Sequence, residues 1–390
     1  MSMRKILTFV GTRPELIKMS LVIARIERLT RHVLVHTGQN YDYSLNQILF
    51  EDLGIRKPDY FLNAAGKTAS ETIGRVIIAA DAVLEQEKPD AVLIYGDTNS
   101  GMAVIAAKRH KIPVFHMEAG NRCFDQRVPE ELNRKVIDHL SDVNMVLTEH
   151  ARRYLLAEGV PGERIFKVGS HMWEVLDYFR GRIDQSTILD RHGLEPDRYF
   201  LVSAHREENV DDPVKLESLL NGLDALAQRF DWPVIVSTHP RTRKKLLDSR
   251  LTQLSSQIRF LEPFGFIDYV RLQIGAYCVI SDSGTITEEA ALLDLPAVTM
   301  RDAIERPEGM DGGTLVMSSS RPDRLLDAVA CVRDGWPGRR FAGRVPDYES
   351  GPVSGKVVRI VLSYIDQVDR LVWSKREPTA SSKNGDEVIS

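Results

Sequence analysis

This chain of 390 residues has only three cysteines, Cys123, Cys278 and Cys331, and none lies in a CxxC pair or at ligand spacing from a histidine. That argues against disulfides and structural zinc. Cys278, inside an apolar run, reads as a small buried hydrophobe. No apolar run approaches the roughly 20 residues that cross a bilayer, and the opening MSMRKILTFVGT enters a strand pattern without the apolar core of a signal peptide. The expectation is a soluble, cytoplasmic protein with no membrane partner. Charge of one sign is also missing. Fifty-one Lys and Arg stand against 55 Asp and Glu, a net charge of -4, without the basic excess of a nucleic-acid binder. Neither GxGxxG nor GxxxxGK[ST] occurs, so no dinucleotide or Walker-type triphosphate site is expected. No cofactor and no metal are expected.

What the chain does have is alternation. Apolar runs of strand length recur with segments of helical period between them, the pattern of parallel βαβ units. One series falls at 5–10, 32–36, 91–96, 113–117, 144–148 and 164–168, and a second at 200–204, 234–238, 258–261, 278–281 and 296–299, after a helical and polar connector at 171–198. A chain of this length exceeds what one core organises. The fold class is therefore α/β, with two Rossmann-like doubly wound parallel-sheet domains, 1–170 and 171–355, facing a cleft that is the default ligand site. Residues 356–374 carry Val357, Val358, Ile360, Val361, Tyr364, Ile365, Val368 and Leu371 at helical spacing. This final helix is expected to pack back on the first domain, the alternative being that it covers only the second. The polar, aperiodic stretch 375–390 reads as a disordered tail.

The most informative stretch is HMEAGNRCFDQRVPEELNR, from His116 to Arg134. Glu118 ends a short strand and Glu130 lies in the first turn of the helix that follows, so two carboxylates converge on one crevice. Each also has a plainer reading. Glu118 would serve as a strand-end charge, and Glu130, directly after Pro129, would complement a helix N-terminus. Asp97, in IYGDTNS, ends a buried strand where it would cap the next helix or enter the cleft. His205, in LVSAHREEN, closes the first strand of the second domain and enters from the opposite side.

Two strand-to-helix turns are suited to an anion. In ILTFVGTRPELIK, Gly11 permits a tight turn while Arg13 and Lys18 bring positive charge to free helix-start amides. In VISDSGTITEEA, Ser283 and Gly284 precede a helix and offer amides and a hydroxyl. One turn per domain, facing each other, suits a diphosphate better than either does alone. Glu289, almost two turns into the second helix, is placed either for ribose hydroxyls or for solvent.

GTRPE with IK, GDT, HMEAG followed by PEE and NR, AHREEN, and SDSG with EEA followed by ERPEG together resemble, in order and over nearly the whole chain, the non-hydrolysing UDP-N-acetylglucosamine 2-epimerases. GQNYDYSLNQ, GNRCFDQRVPEELNRK, STHPRTRK and SDSGTITEEA look most like the branch that forms UDP-N-acetyl-L-fucosamine from UDP-2-acetamido-2,6-dideoxy-L-talose. The resemblance implies a glycosyltransferase-B-like fold, a UDP-sugar substrate, a homodimer and a place in surface-polysaccharide synthesis. It also implies a reaction in which carbon 2 loses its proton, UDP leaves carbon 1 to give a 2-acetamidoglycal, and both steps reverse on the other face. Carried over by position, Asp97, Glu118, Glu130 and His205 are the catalytic set. Arg13, Lys18, Ser283 and Gly284 hold the diphosphate, Glu289 the ribose, and Arg301, Glu305 and Arg306 form a further cleft segment. Without the resemblance, those last three read as a charged surface loop. Two departures stand out. Thr285 occupies the place of a glycine, and the loop between Glu118 and Glu130 is one residue short and carries Arg122, Phe124 and Arg127. Both suggest a reshaped sugar pocket. The competing readings are the UDP-N-acetylglucosamine/UDP-N-acetylmannosamine interconversion, a hydrolysing epimerase, and a glycosyltransferase on the same scaffold.

Overall fold

The strands form where apolar runs are bounded by turn residues, and the helices where capping residues precede apolar periodicity. Thr12 starts the first helix, Arg13–Leu29, with Pro14 in the first turn and Glu15 reaching back to the preceding amides. Thr68 and Ser170 accept amide hydrogen bonds from Glu71 and Met172 at two later starts. The computed structural model describes residues 3–38, 49–204, 206, 210–238, 254–301, 303–334 and 344–375.

The first sheet comprises β1 (Lys5–Val10), β2 (Arg31–His36), β3 (Tyr60–Phe61), β4 (Ala91–Tyr95), β5 (Val114–Met117), β6 (Val143–Val146) and β7 (Ile165–Lys167), in the order β3-β2-β1-β4-β5-β6-β7. The second comprises β8 (Phe200–Ser203), β9 (Val234–Ser237), β10 (Ile258–Leu261), β11 (Cys278–Ser281), β12 (Ala297–Thr299) and β13 (Val316–Met317), in the order β10-β9-β8-β11-β12-β13. Every pairing is parallel. Each expected run forms a strand. β3 and β13 are additions to the expected set, because a two-residue edge piece carries too little pattern to read.

Chain order reverses between β1 and β4 in one sheet and between β8 and β11 in the other. A crevice opens beyond the carboxyl ends of the strands at such a reversal. The turn after β1, Asp97 after β4 and Ser283 after β11 all lie at these points, which is how the fold positions the site.

Both faces of the first sheet are covered. Leu16, Met19 and Ile23 of the first helix share one core with Val357, Val361 and Ile365 of the last helix, Val353–Leu371, while Val76, Ala80 and Val83 pack on the opposite face. Ile365 is fully buried, so its truncation to Ala costs about 2–5 kcal/mol. The first core also takes in Phe266, Ile267 and Val270 from the helix Phe266–Gly275 of the second half. No helix among the described residues is long and apolar enough to cross a membrane. Residues 376–390, most of the expected tail, lie outside the described residues.

Candidate active site

The acids sit where strand ends force the chain to turn. Glu118 follows β5 with φ 61°, a left-handed conformation that a side chain with a Cβ rarely adopts. The surrounding structure holds it there. The His116 Nε2 donates to the Gly96 carbonyl at 2.8 Å, and its Nδ1 meets the Asp138 carboxylate at 2.8 Å. Asp138 also accepts from the Gly120 amide at 3.2 Å and from Arg122 at 2.7 Å, and Arg122 reaches on to Glu158 at 2.6 Å. Arg122 thus points into the fold and braces the turn. Its place in the sequence suggests a reshaped sugar pocket, but two carboxylate contacts draw it inward. Arg127 is exposed on Asp125, and Phe124, also exposed, lies edge-on to Tyr154.

Two adjacent acids begin the helix Pro129–Leu140 and differ in role. Glu131 accepts from the Cys123 and Phe124 amides at 3.0 and 3.2 Å and pairs with Arg134 at 3.0 Å, tying down the loop. Glu130 keeps a buried carboxylate oxygen, Oε2, with no hydrogen-bond partner among the described residues. Arg134 also pairs with Asp97 at 2.8 Å.

Glu118 lies at the centre of a charge cluster that bridges the two halves. Its carboxylate accepts from Lys18 Nζ at 2.5 Å and from the Tyr95 hydroxyl at 2.6 Å, and the Arg306 guanidinium lies 3.2 Å away. Lys18 and Arg306 also share Glu288, at 3.2 and 3.3 Å, and the Ser170 hydroxyl donates to the same carboxylate. Beside them, Arg306 donates to the Gly284 carbonyl at 2.8 Å, and Arg301 pairs with Glu305 at 2.6 Å. Arg301 retains Nε and one terminal nitrogen, both buried, without hydrogen-bond partners among the described residues. A Cβ built on Gly284 would stand 2.3 Å from Glu305 Oε1 and 2.8 Å from Arg306, so a side chain here would push the Glu305 and Arg306 ends out of their pairing.

The two central acids are tuned in opposite directions. Burial favours the neutral form of Glu118, but the Lys18 and Arg306 charges override it and hold the carboxyl well below its usual range. Burial pushes Asp97 up, with Arg134 opposing and Glu118, Glu130 and Glu305 adding to the rise. Oppositely tuned neighbouring acids suit proton transfer. Glu305 is held down to about 2, because Arg301 and Arg306 outweigh its burial.

The first anion turn differs from expectation. The Gly11 and Thr12 amides, read as free for a phosphate, are taken by the Glu15 carboxylate at 2.6 and 3.2 Å. Arg13 donates across to the Phe264 carbonyl at 2.8 Å, so Lys18 is the cation this helix brings to the cluster. In the second turn Ser283 and Gly284 lie beside Arg301 and Arg306, but the Ser283 amide donates to the Ser281 hydroxyl at 3.0 Å and the Ser283 hydroxyl meets that of Thr285 at 3.0 Å, so neither stands open as expected. Glu289 faces Gln273 at 2.5 Å, and burial raises its carboxyl. His205 lies outside the described residues. Among the described residues, no group of three or more His, Cys, Asp or Glu side chains is arranged to hold a metal ion.

Sequence reasoning missed Tyr95, Glu288, Glu131, Arg134 and His171, whose buried ring lies edge-on to Tyr95. The Glu131 and Arg134 pair was visible as an i,i+3 opposite-charge spacing. Glu288 was confounded with its neighbour, and the other two carried no signal.

Two parallel-sheet domains closing tuned acids and arginines on one cleft define a glycosyltransferase-B-like α/β enzyme. The chain belongs to the UDP-N-acetylglucosamine 2-epimerase family, whose family model matches residues 24–362, and it is an isomerase. The UDP-N-acetylglucosamine 2-epimerase structure from Rickettsia bellii is 57% identical, covers 96% of this chain and 100% of that one, and superposes with a TM-score of 0.90. The Methanocaldococcus jannaschii UDP-GlcNAc 2-epimerase in complex with UDP-GlcNAc and UDP is 33% identical, covering 92% and 99%, with a TM-score of 0.85. The UDP-2,3-diacetamido-2,3-dideoxy-D-glucuronate 2-epimerase of Pseudomonas aeruginosa is 37% identical over 330 residues, 83% of this chain and 91% of that one.

Proposed function

We propose that this protein is a UDP-2-acetamido-sugar 2-epimerase that inverts carbon 2 by eliminating UDP and adding it back. A base takes the proton from carbon 2, and the electron pair forms the C1=C2 bond of a 2-acetamidoglycal. The C1–O bond breaks with its electrons going to UDP. Re-addition of UDP, with protonation of carbon 2 on the other face, completes the inversion. The observation that carries this reading is the pair of oppositely tuned acids facing an arginine-lined anion turn. Glu118 suits proton removal once a bound diphosphate relieves it of Lys18 and Arg306, whose charges weaken it as a base; Asp97, whose proton burial favours, suits proton return. Glu130, with its unpartnered buried oxygen, completes the acid set. Lys18, Arg306, Ser283, Gly284 and Arg301 hold the departing diphosphate, Arg13 joins them on release from the Phe264 carbonyl, and Glu289 holds the ribose. His205 joins the site by its motif.

The bound UDP-GlcNAc and UDP in the archaeal neighbour support a UDP-sugar as substrate. For the product we infer UDP-N-acetyl-L-fucosamine, formed from UDP-2-acetamido-2,6-dideoxy-L-talose for surface polysaccharide, by a cytoplasmic homodimer. Thr285 and the shortened loop support a modified sugar, as does a relative that acts on a diacetamido sugar. The name of the Rickettsia neighbour favours UDP-N-acetylglucosamine/UDP-N-acetylmannosamine interconversion as the second reading. Incubation with each UDP-sugar and identification of products by NMR separates the two. Turnover of UDP-N-acetylglucosamine alone overturns the fucosamine assignment, and transfer only to an added acceptor overturns the epimerase.

A further inference from the structure

Glu118 is held by three donors among the described residues, and they are not equivalent. Lys18 and Arg306 are cations, and both also touch Glu288. A diphosphate entering beside Ser283 and Gly284 competes for both, since phosphate oxygens recruit such cationic donors. Tyr95 is neutral and offers a single hydroxyl, 2.6 Å from Glu118 Oε2. It is buried at the end of β4, its ring lies edge-on to His171 at 5.2 Å between centroids, and Lys18 Nζ sits 5.6 Å from the ring centroid. A neutral hydroxyl attracts a diphosphate less strongly than the two cations do, so this contact is the one least drawn away.

We propose that Tyr95 is a positioning residue, whose hydroxyl keeps Glu118 directed and ionised at the substrate after the diphosphate has drawn Lys18 and Arg306 away. The phenol is suited to this, because burial, reinforced by Glu118 and Glu288, keeps its proton on at any working pH. Lys18, Tyr95 and Arg306 touch the Glu118 carboxylate, and Asp97, His171 and Glu288 are further charged or titratable groups in its field among the described residues. The inference rests on the epimerase reading.

The test is Tyr95→Phe, which retains the ring, its contact with His171 and its place over Lys18. The variant is expected to lower kcat about tenfold with KM within about twofold, the scale of a hydrogen bond to a charged group. Losing a donor to the ionised form raises the Glu118 pKa, so the acid limb of the kcat profile moves to higher pH. In a Glu118→Gln background the same change is expected to add nothing. An unmoved acid limb and unchanged kcat, with only the melting temperature lowered, would reduce Tyr95 to a packing residue. Infrared titration of the Glu118 carboxylate in the UDP-bound protein gives a readout free of turnover. If the unmodified protein epimerises no UDP-sugar, the functional reading fails, yet a raised carboxylate pKa in Tyr95→Phe still upholds the contact and an unchanged one overturns it.

Discussion

The two halves of the site do different work with similar materials. The first half ends its strands in acids, Asp97 and Glu118, and adds Glu130 from a helix start; the second ends β11 in a serine-glycine turn flanked by Arg301 and Arg306. On the proposed reading, proton transfer falls to the first side, and anion binding mainly to the second with Lys18 reaching over from the first. They are nonetheless tied across the cleft, because Lys18 of the first half reaches Glu288 and Arg306 of the second reaches Glu118. Each half lends a cation to the other's carboxylate, so on the proposed reading a diphosphate that captures these cations changes the field at the acids.

Breaking the acid side has the largest expected effect. Glu118→Gln is expected to slow epimerisation by about two orders of magnitude or more, while UDP affinity by calorimetry holds or rises, since Lys18 and Arg306 lose a competing carboxylate. Loss of UDP binding in this variant would merge the two halves into one function. Breaking the anion side is expected to weaken UDP. Arg306→Met removes a buried guanidinium and is expected to lower UDP affinity by about tenfold or more, measured in the same way. Gly284→Ala places a methyl 2.3 Å from Glu305 Oε1 and is expected to raise KM more than it lowers kcat.

A smaller effect separates the halves by pH. In the fold, burial and then the Lys18 charge hold the His171 imidazole down from 6.5 to about 3. Only the unfolded chain takes up this proton in that window, so stability falls as pH drops below about 6.5, by roughly 1 kcal/mol per unit. Glu15 has the opposite sign. Burial pushes its carboxyl up to about 7, so the folded state binds the extra proton and this contribution weakens as pH rises from 4.5 to about 7. Melting temperatures across pH 4 to 7 are expected to flatten on the acid side in His171→Gln and on the neutral side in Glu15→Gln.

The same contrast explains what could be read before the structure. Parallel strands buried on both faces are unbroken apolar runs, and their ends are marked by Gly96-Asp97, Glu118 and Ser283-Gly284, so the fold class and the strand-end residues were legible. Side-chain direction was not. Glu288 and Glu289 are neighbours, and only the packing of the helix Ile286–Leu293 sends one to Lys18 and the other to Gln273. Arg122 looks like a pocket residue until Asp138 and Glu158, distant in sequence, claim it. Glu15 looks like a helix-start acid and proves to occupy the very amides expected to bind phosphate. In each case the partner lies beyond the reach of local pattern, which fixes where a residue sits and not where its side chain turns.

The most direct test of the account is the fate of the hydrogen on carbon 2 when the protein turns over its UDP-sugar in deuterated water. The account predicts solvent deuterium at carbon 2, with UDP still attached, appearing at the rate of epimerisation and lost in Glu118→Gln. Inversion with the original hydrogen retained at carbon 2 would contradict it.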